Sequence, residues 1–306
     1  MNILILGGNG FIGSHLTEAL RTEHNVTVFD RSPNRFVQEC EGVEYIYGDF
    51  NNASELKRCL KGKDIVYHLL STTVPLTANN DPVHDVQSNL IGTINLLDAV
   101  SESNVSRFIY TSSGGTVYGN PEYVPIDEKH PCNPIGSYGI IKLTIEKYIK
   151  MYSQKNNFTY LIARPSNPYG PRQNFKGDQG LISNYLYKGL IKGEFVIWGD
   201  GSAIRDYIYI NDLVDFLKIA GLSSKSGIFN VGSGKGRSIK EIIEFLNEII
   251  EEHPVLKYAE KNRYFVEEVV LNIEFVEEEF QWSPKISMKE GLKLHSTWMK
   301  SLDIKE

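Results

Sequence analysis

One tyrosine of this chain has a lysine at the spacing that suits proton transfer. Among the 17 tyrosines, only Tyr138 is followed four residues later by a lysine, Lys142. On a helix, residues four apart lie on one face. A neighbouring positive charge lowers the pKa of a phenol, which can then act as general acid or base near neutral pH. The pair is therefore a candidate catalytic centre.

A glycine-rich turn near residue 10 predicts a dinucleotide site. It follows the apolar run Ile3–Leu6 and holds two overlapping spacings, G-x-x-G-x-x-G from Gly7 and G-x-G-x-x-G from Gly8. Glycines at these spacings permit a tight turn, close approach to a pyrophosphate and tight packing of helix on strand. The pyrophosphate is expected at the helix N-terminus, where free N–H groups favour negative charge. The expected cofactor contacts are Gly7, Gly10, Phe11, Ile12 and Gly13.

The second predicted strand, Val26–Asp30, ends in an acid. A carboxylate there accepts hydrogen bonds from the ribose hydroxyls and repels a 2′-phosphate, so Asp30 favours NAD over NADP. Arg31, a further expected contact, weakens that preference. The positive nicotinamide of NAD would also help Lys142 to lower the pKa of Tyr138. Asp49, after the third predicted strand, could bind the adenine amino group or could simply cap its loop.

The elements that must position these residues alternate between apolar runs and helical patterns. The predicted strands are Ile3–Leu6, Val26–Asp30, Val43–Gly48, Asp64–Leu70, Arg107–Thr111 and Tyr160–Arg164, with helices over 13–21, 54–60, 83–100 and 137–155 between them. Apolar strands separated by helices predict a parallel sheet covered on both faces, a doubly wound α/β (Rossmann) fold. Beyond Pro168 the alternation is lost. We expect an NAD-binding domain over 1–168, with a return strand near 227–232, and a smaller substrate-binding region over 169–306.

The composition is ordinary for a globular protein and excludes several classes. The chain has 306 residues, 41% of them hydrophobic, and a formal net charge of −6 without a long basic block. Nucleic acid is therefore not an expected partner. Three scattered cysteines and seven histidines show no ligand spacing, so we expect no metal site and a reducing cytoplasm. No signal peptide is recognised and no apolar run approaches the roughly 18–20 residues of a membrane span.

Together these features resemble the extended short-chain dehydrogenase/reductase family. Within it, the chain is most similar to the sugar-nucleotide epimerases and dehydratases of the UDP-glucose 4-epimerase type, over nearly its whole length. Besides the glycine turn, Asp30 and Tyr138/Lys142, the resemblance is carried by the turn Ser112–Gly119 and by the segments Asn89-x-x-Gly92-Thr93-x-Asn95, Arg164-Pro165-x-Asn167-Pro168-Tyr169-Gly170-Pro171 and Asp200-Gly201-x-x-x-Arg205-Asp206-Tyr207.

The resemblance implies roles for the matching residues. Tyr138 would be the acid/base, and Lys142 would hold the ribose and tune Tyr138. Asn167 and Arg205 would bind the diphosphate of a sugar nucleotide, since an arginine fork matches phosphate oxygens. A surface ion pair of Arg205 with Asp206 or Asp212 is the alternative. The remaining expected cofactor contacts are Phe50, Leu69, Ser112 and Pro165, while Asn89 would tie its helix to the sheet.

Two departures from the family pattern affect the substrate site. The family usually has Ser or Thr three residues before the Val of its V-Y-G turn, where it bonds the reacting sugar hydroxyl, and this chain has Gly114. The neighbouring hydroxyls, Ser113 and Thr116, are the candidates to replace it, and we favour Thr116. These hydroxyls could equally be turn formers.

The second departure is in a C-terminal Arg-x-x-Asp pattern that binds the nucleotide ribose. The chain has Arg263 followed by Val266 in place of the acid, unless Glu267 or Glu268 substitutes for it. Arg263 is the expected substrate contact.

The Ser112–Gly119 turn also bears on the reaction. Dehydratases of this family carry an Asp-Glu pair where this chain has Gly115 and Thr116, so 4,6-dehydration lacks its acid and base. We expect NAD-dependent 4-epimerisation of a nucleotide-diphosphate sugar through a 4-keto intermediate, with Tyr138 taking the proton of the 4-hydroxyl. The alternative is an NAD(P)H-dependent 4-ketoreductase of a 4-keto-6-deoxy sugar nucleotide that uses the same residues.

Two further expectations follow from the same patterns. A non-catalytic NAD-binding module would leave Tyr138, Lys142 and Arg205 without a role, so it ranks below both enzymes. The resemblance also implies a homodimer that pairs the helices near Asn89–Val100 and Ser137–Lys155, although periodicity alone does not separate such pairing from burial within one chain.

Overall fold

The structure, a computed structural model, describes residues 1–177, 180–261, 266–302 and 304. The chain forms two compact units of three segments each. Met1–Gly119, Pro131–Arg164 and Val214–Phe229 make up the first, and Asn120–His130, Pro165–Leu213 and Asn230–Glu306 make up the second. The sequence predicted a boundary at residue 168 with a return strand near 227–232. Residues 214–229 of the first unit overlap that return segment, and residues 120–130 of the second unit come from before the predicted boundary.

Strands and helices are numbered along the chain. The strands are β1 (Asn2–Leu6), β2 (Asn25–Asp30), β3 (Glu44–Tyr47), β4 (Ile65–His68), β5 (Arg107–Thr111), β6 (Thr159–Pro165), β7 (Asn167–Tyr169), β8 (Glu194–Trp198), β9 (Ile204–Tyr209), β10 (Gly227–Val231), β11 (Gly236–Ser238), β12 (Val255–Ala259) and β13 (Glu268–Val269). The helices are α1 (Phe11–Leu20), α2 (Ala53–Leu60), α3 (Pro75–Asn80), α4 (Pro82–Asp85), α5 (Gly92–Ser101), α6 (Ser137–Lys155), α7 (Leu181–Leu190), α8 (Ile210–Leu222), α9 (Ile239–Asn247), α10 (Glu274–Phe280) and α11 (Met288–Ser301).

The main sheet of the described chain has seven strands in the order β10-β6-β5-β4-β1-β2-β3. Pairing is parallel from β3 through β1 to β6, with Ile3 opposite both Val26 and Ile65. Residues 3–6 of β1 are completely buried, as expected of a strand covered by helices on both faces. The predicted doubly wound α/β fold is confirmed.

Parallel pairing gathers the predicted site residues at one edge of this sheet. The glycine turn follows β1, Asp30 ends β2, Leu69 follows β4 and Ser112 follows β5. In doubly wound folds, the carboxyl ends of the strands form the ligand-binding edge. The predicted cofactor contacts of the first unit therefore converge because of topology and not because of sequence proximity.

A π-helical turn, Val86–Ile91, interrupts the helix that the sequence predicts over 83–100. Near it, the Ser88 hydroxyl donates to the His84 carbonyl and the Thr93 hydroxyl to the Asn89 carbonyl. Such side-chain bonds to backbone carbonyls compete with the regular helical ladder. Asn89 Oδ1 accepts the N–H of Thr72 at 2.9 Å, so this residue ties the helix to the loop after β4, as expected.

The second unit contains two smaller sheets among its described residues. One has β9 between β11 and β13, with β7 also paired to β9, and the other pairs β8 with β12. The buried Asp206 carboxylate accepts backbone N–H groups of Ser233 and Gly234 at 2.8 and 3.2 Å, which fixes the chain beside β9. Across the residues that the structure describes, no helix has both the length and the apolar character of a membrane span.

Candidate functional site

The glycine turn has the geometry that its spacing predicts. Gly7 has a φ of +82°, a region that favours glycine, and its N–H donates to the Phe29 carbonyl at 2.9 Å. A Cβ at Gly13 would lie 2.1 Å from the Gly7 carbonyl oxygen. Any side chain at Gly13 would therefore push α1 away from the turn.

The start of α1 is suited to a pyrophosphate. Gly10 is the N-cap residue and offers no side chain to bond the first N–H groups. Phe11 and Ile12 open the helix directly after it. Uncapped N–H groups at a helix N-terminus bind phosphate oxygens, so the turn fits the dinucleotide that the sequence predicts.

The Asp30 carboxylate is fixed at the end of β2 by the backbone. Its Oδ2 accepts the N–H of Asn9 at 3.0 Å, and its Oδ1 accepts the N–H of Arg31 at 2.7 Å. This arrangement presents a preorganised carboxylate beside the glycine turn. Arg31 itself is exposed. The fit to a ribose diol, and hence to NAD, rests on this geometry.

Three other predicted contacts have roles within the protein. Asp49 is exposed and its Oδ1 accepts the N–H of Asn51 at 2.9 Å, which is the loop-capping alternative. The Phe50 ring is buried and stacks on His68, with ring centroids 5.3 Å apart. Phe50 could therefore contact a cofactor mainly through its backbone. The N–H of Leu69 donates to the Leu6 carbonyl at 3.0 Å.

Helix α6 brings Tyr138 and Lys142 together. Lys142 Nζ lies 5.5 Å from the centroid of the Tyr138 ring and 4.8 Å from that of Tyr110. It donates to the Thr111 carbonyl at 2.9 Å, which anchors the ammonium to the end of β5. The i, i+4 spacing thus places the phenol and the ammonium on one face beside the carboxyl edge of the sheet.

The electrostatics of this pair differ from the expectation. Burial and, to a smaller extent, the Asp85 carboxylate raise the pKa of Tyr138 to about 12, and a hydrogen bond with Ser71 acts in the opposite direction. Burial lowers the pKa of Lys142 to about 8. Desolvation of the phenol outweighs the ammonium. The lowering expected for Tyr138 therefore depends on the positive nicotinamide of bound NAD, because Lys142 alone does not supply it.

A buried hydrogen-bond network surrounds Glu146, on the same helix as Tyr138 and Lys142. Glu146, one further turn along α6, accepts two bonds from Arg164, from Nε at 3.0 Å and from Nη2 at 2.6 Å. Arg164 Nη1 also bonds the Tyr118 hydroxyl at 2.9 Å, and the Ser112 hydroxyl donates to Glu146. The network joins both ends of the 112–119 turn to α6. The Ser112 hydroxyl is committed to it, so a cofactor contact by Ser112 stays a prediction.

The hydroxyls that could replace the one missing at Gly114 are not equivalent. Thr116 Oγ1 is inaccessible to solvent and has no hydrogen-bond partner among the described residues. Both residues are partly buried, but Ser113 Oγ is not among the buried atoms without a partner, and the Ser113 carbonyl accepts the N–H groups of Thr116 and Val117. A buried hydroxyl cannot reach a sugar unless the turn rearranges. The structure therefore favours Ser113 where the sequence favoured Thr116.

The second unit holds the residues predicted to bind a diphosphate. Arg205 donates to the carbonyls of Ile204 and Val266 at 2.8 and 2.6 Å, and burial lowers its pKa. Asn167 Nδ2 donates to the Asp206 carbonyl at 2.8 Å. Pro165, at the end of β6, is buried. These contacts fix the side chains of Asn167 and Arg205 in defined positions.

The predicted ribose contact, Arg263, lies outside the described residues. Of the two acids considered as replacements at Val266, Glu267 forms an ion pair with Lys261, and Glu268 is in β13, half-buried. No metal-ligand cluster of His, Cys, Asp or Glu is found within the described part of the chain.

The sequence analysis missed two acidic residues near Tyr138 and Lys142. Asp85 lines the same small cavity as Tyr138 and Lys142, and Glu146 anchors the catalytic turn. Both had a sequence signal. Glu146 continues the i, i+4 series of Tyr138 and Lys142, and Asp85 stands four residues before Asn89. Residues at such spacings share a helix face.

The chain is similar in sequence and in fold to several known proteins. A sequence profile described as the NAD dependent epimerase/dehydratase family matches residues 3–232. The UDP-glucose 4-epimerase of Mycolicibacterium smegmatis is 32% identical over 251 residues, 79% of this chain and 80% of that one. The dTDP-4-dehydro-6-deoxyglucose reductase of Escherichia coli is 29% identical over 300 residues, 95% of each chain. The crystal structure of the UDP-glucose 4-epimerase of Thermus thermophilus in complex with NAD has a TM-score of 0.92 and 28% identity, covering 98% of this chain and 99% of that one.

Proposed function

The chain belongs to the NAD-dependent epimerase/dehydratase family, and we propose that it interconverts the C4 epimers of a uridine-diphosphate sugar. The predicted family, the NAD cofactor and the 4-epimerase activity agree with the relatives. The observation that carries the proposal is the placement of Tyr138 and Lys142 on one face of α6, at the sheet edge that also holds the glycine turn and Asp30.

NAD would be held mainly by the glycine turn and Asp30. The N–H groups at the start of α1 would bind its pyrophosphate, and Asp30 would accept hydrogen bonds from its adenosine ribose. Arg31, Asp49, Phe50, Leu69, Ser112 and Pro165 stay proposed as further contacts. When bound, NAD supplies a hydride acceptor that takes hydrogen from C4 of the sugar and returns it to the opposite face.

The residues of the chain would manage the proton. Tyr138 takes the proton of the sugar 4-hydroxyl as hydrogen leaves C4, and gives it back when hydrogen returns. Lys142, held by the Thr111 carbonyl, stabilises the phenolate. Ser113 is proposed to bond the reacting hydroxyl in place of the side chain that Gly114 lacks. Asn167 and Arg205 are proposed to bind the diphosphate of the sugar nucleotide, and Arg263 is proposed to bind its nucleotide ribose.

A 4-ketoreductase is the second candidate, and the Escherichia coli relative favours it. The two reactions differ in their demand for cofactor. An epimerase regenerates its NAD in each turnover, whereas a reductase consumes one reduced cofactor for each product.

The test is to incubate purified protein with UDP-glucose, UDP-N-acetylglucosamine and UDP-glucuronic acid, each without added cofactor. We expect one of the C4 epimers to form, with no absorbance change at about 340 nm, the NADH band. Turnover only of a 4-keto-6-deoxy sugar nucleotide with added NAD(P)H would replace the proposal by the reductase. Bound NAD with no turnover of any of these substrates would instead support a binding module.

We also propose a cytoplasmic homodimer. Cys40, Cys59 and Cys132 are free thiols, which suits a reducing compartment. The outer faces of the helices predicted to pair expose Ile91, Ile140 and Met151 by 46%, 48% and 37%, and exposed apolar side chains on neighbouring helices favour association. Light scattering should give twice the chain mass, and Ile140→Glu should shift it towards the monomer. A monomeric wild-type protein would contradict the dimer.

A further inference from the structure

Asp85 is a deeply buried carboxylate that the reaction above does not use. The residue is 1% exposed. Its Oδ1 accepts bonds from Thr73 Oγ1 at 2.8 Å and Asn89 Nδ2 at 2.9 Å, and its Oδ2 accepts one from Ser137 Oγ at 2.7 Å. Both oxygens act only as acceptors, as in an ionised carboxylate. No cation of the described residues forms an ion pair with it at 4 Å or less.

The carboxylate faces the catalytic pair. Asp85, Tyr138 and Lys142 line one small cavity together with His68 and Tyr110. An ionised carboxylate without a cation partner is costly in such a place. The nearest positive side chain that lines the same cavity is the Lys142 ammonium, and the two charges therefore compensate each other across it.

The other titratable groups near this cavity are neutral or already paired, and of them Glu146 also opposes the lowered pKa of Lys142, after Asp85. From β4, His68 is neutral because burial lowers its pKa to about 3. From β5, Tyr110 is neutral because burial raises its pKa. From α6, Glu146 is already paired with Arg164 of β6. Among the described groups, the cavity is therefore left with Tyr138, Lys142 and Asp85.

We propose that Asp85 is a positioning residue for Tyr138 and Lys142. The hydrogen bond that Asp85 accepts from Ser137 holds the two residues in place, and the negative charge of Asp85 keeps Lys142 protonated. The inference rests on the proposed function. Ser137 is the first residue of α6 and directly precedes Tyr138. The bond from its hydroxyl thus ties the first turn of the catalytic helix to the end of α4.

The negative charge of Asp85 affects the pKa values of Lys142 and Tyr138, which the hydrogen bond to Ser137 alone would not do. Burial lowers the pKa of Lys142, and the charges of Asp85 and, to a smaller extent, Glu146 oppose that lowering. Asp85 also adds to the raised pKa of Tyr138. Removal of the charge should therefore lower both pKa values. If kcat/KM requires an ionised Tyr138 and a protonated Lys142, both limbs of its pH profile should move to lower pH.

The test compares Asp85→Asn, which removes the charge but keeps the shape, with Ser137→Ala, which keeps the charge but removes the bond. In the NAD-loaded enzyme, we expect Asp85→Asn to move both limbs down by roughly one pH unit, the low end of the effect of a nearby charge. Ser137→Ala should lower kcat with both limbs unmoved. Unmoved limbs in Asp85→Asn, or equal shifts in both variants, would overturn the proposal.

A second readout does not depend on turnover. Competitive acetylation of Lys142 with acetic anhydride, quantified by mass spectrometry across pH, reports the protonation of its amine. Half-labelling should occur at lower pH in Asp85→Asn than in wild type or Ser137→Ala. If the wild type proves not to be an epimerase, this measurement still decides the role of Asp85. Should Asp85→Asn not fold, Asp85→Ser carries the same expectation, and an unchanged half-labelling pH in it contradicts the proposal.

Discussion

Arg164 and Glu146 form a fully buried, two-pronged ion pair, with Nη2 2.6 Å from Oε2 and Nε 3.0 Å from Oε1. Each side chain is about 2% exposed or less. The pair links β6 to α6 and, through Tyr118 and Ser112, holds the 112–119 turn. One buried network therefore joins β6, α6 and the 112–119 turn that carries Ser113.

Replacing only one residue of this ion pair should destabilise the fold more than replacing both residues with apolar ones. Arg164→Leu leaves Glu146 charged and buried, which costs about 3–5 kcal/mol, whereas the double variant with Glu146→Leu should be less destabilised. Urea unfolding followed by circular dichroism measures both. Lys257→Ala is the control, since its ion pair with Glu194 is more than half exposed and should matter little. Equal losses in the single and double variants would contradict the role of the uncompensated charge.

Ser113 and Thr116 are separable by substitution. Ser113→Ala should lower kcat/KM roughly 100- to 1000-fold, because it removes a hydrogen bond to the reacting hydroxyl. Thr116→Val should leave turnover near the wild-type level, since its hydroxyl is buried without a partner. Steady-state kinetics on the identified epimer pair is the measurement. The reverse ranking would restore Thr116, the residue that the sequence favoured.

Asp30 should control the affinity for NAD, and Asp49 should not. Asp30→Asn keeps the shape but loses charge-assisted bonds, each contributing about 1.5–3 kcal/mol, so NAD should bind roughly tenfold more weakly or worse. Discrimination against NADP should also fall. Asp49→Asn is the matched control, because Asp49 mainly caps its own loop. Calorimetric titration of cofactor-depleted protein distinguishes them, and a similar loss in Asp49→Asn would assign the adenine contact to Asp49.

His295 should make the protein sensitive to acid. Burial lowers its pKa from 6.5 to about 3, so the folded state binds fewer protons than the unfolded state between these values. Its contribution to stability is complete above pH 6.5 and is lost as pH falls towards 3. One proton gives a slope of about 1.4 kcal/mol per pH unit. His295→Asn should flatten the pH dependence of the unfolding free energy between pH 6 and 4.5 by roughly that slope, and the exposed His253→Asn should not. An unchanged slope in His295→Asn would show that His295 is protonated in the folded state.

The sequence alone predicted the features that follow from the periodicity of apolar residues or from the spacing of motif residues. Uniformly apolar strands separated by helices predicted the parallel sheet, and the i, i+4 spacing predicted the contact of Tyr138 with Lys142. The glycine turn and Asp30 converge because parallel strands place their carboxyl ends at one edge. These features need no knowledge of side-chain packing.

The sequence did not predict the features that depend on how side chains pack in the folded protein. The burial of the Thr116 hydroxyl depends on how the turn folds, and the raised pKa of Tyr138 depends on desolvation that no spacing encodes. The π-helical turn at Val86–Ile91 lies within a segment whose pattern predicts one continuous helix.

The most direct test of the central claim follows the hydrogen at C4. UDP-glucose carrying deuterium at C4 is incubated with the purified protein without added cofactor, with Tyr138→Phe as the inactive control and Tyr152→Phe, on the same helix but bonded to Asp98, as the active one. The account predicts UDP-galactose that retains deuterium at C4, since the same hydrogen leaves and returns. An epimer with ordinary hydrogen at C4, or full activity in Tyr138→Phe, would contradict it.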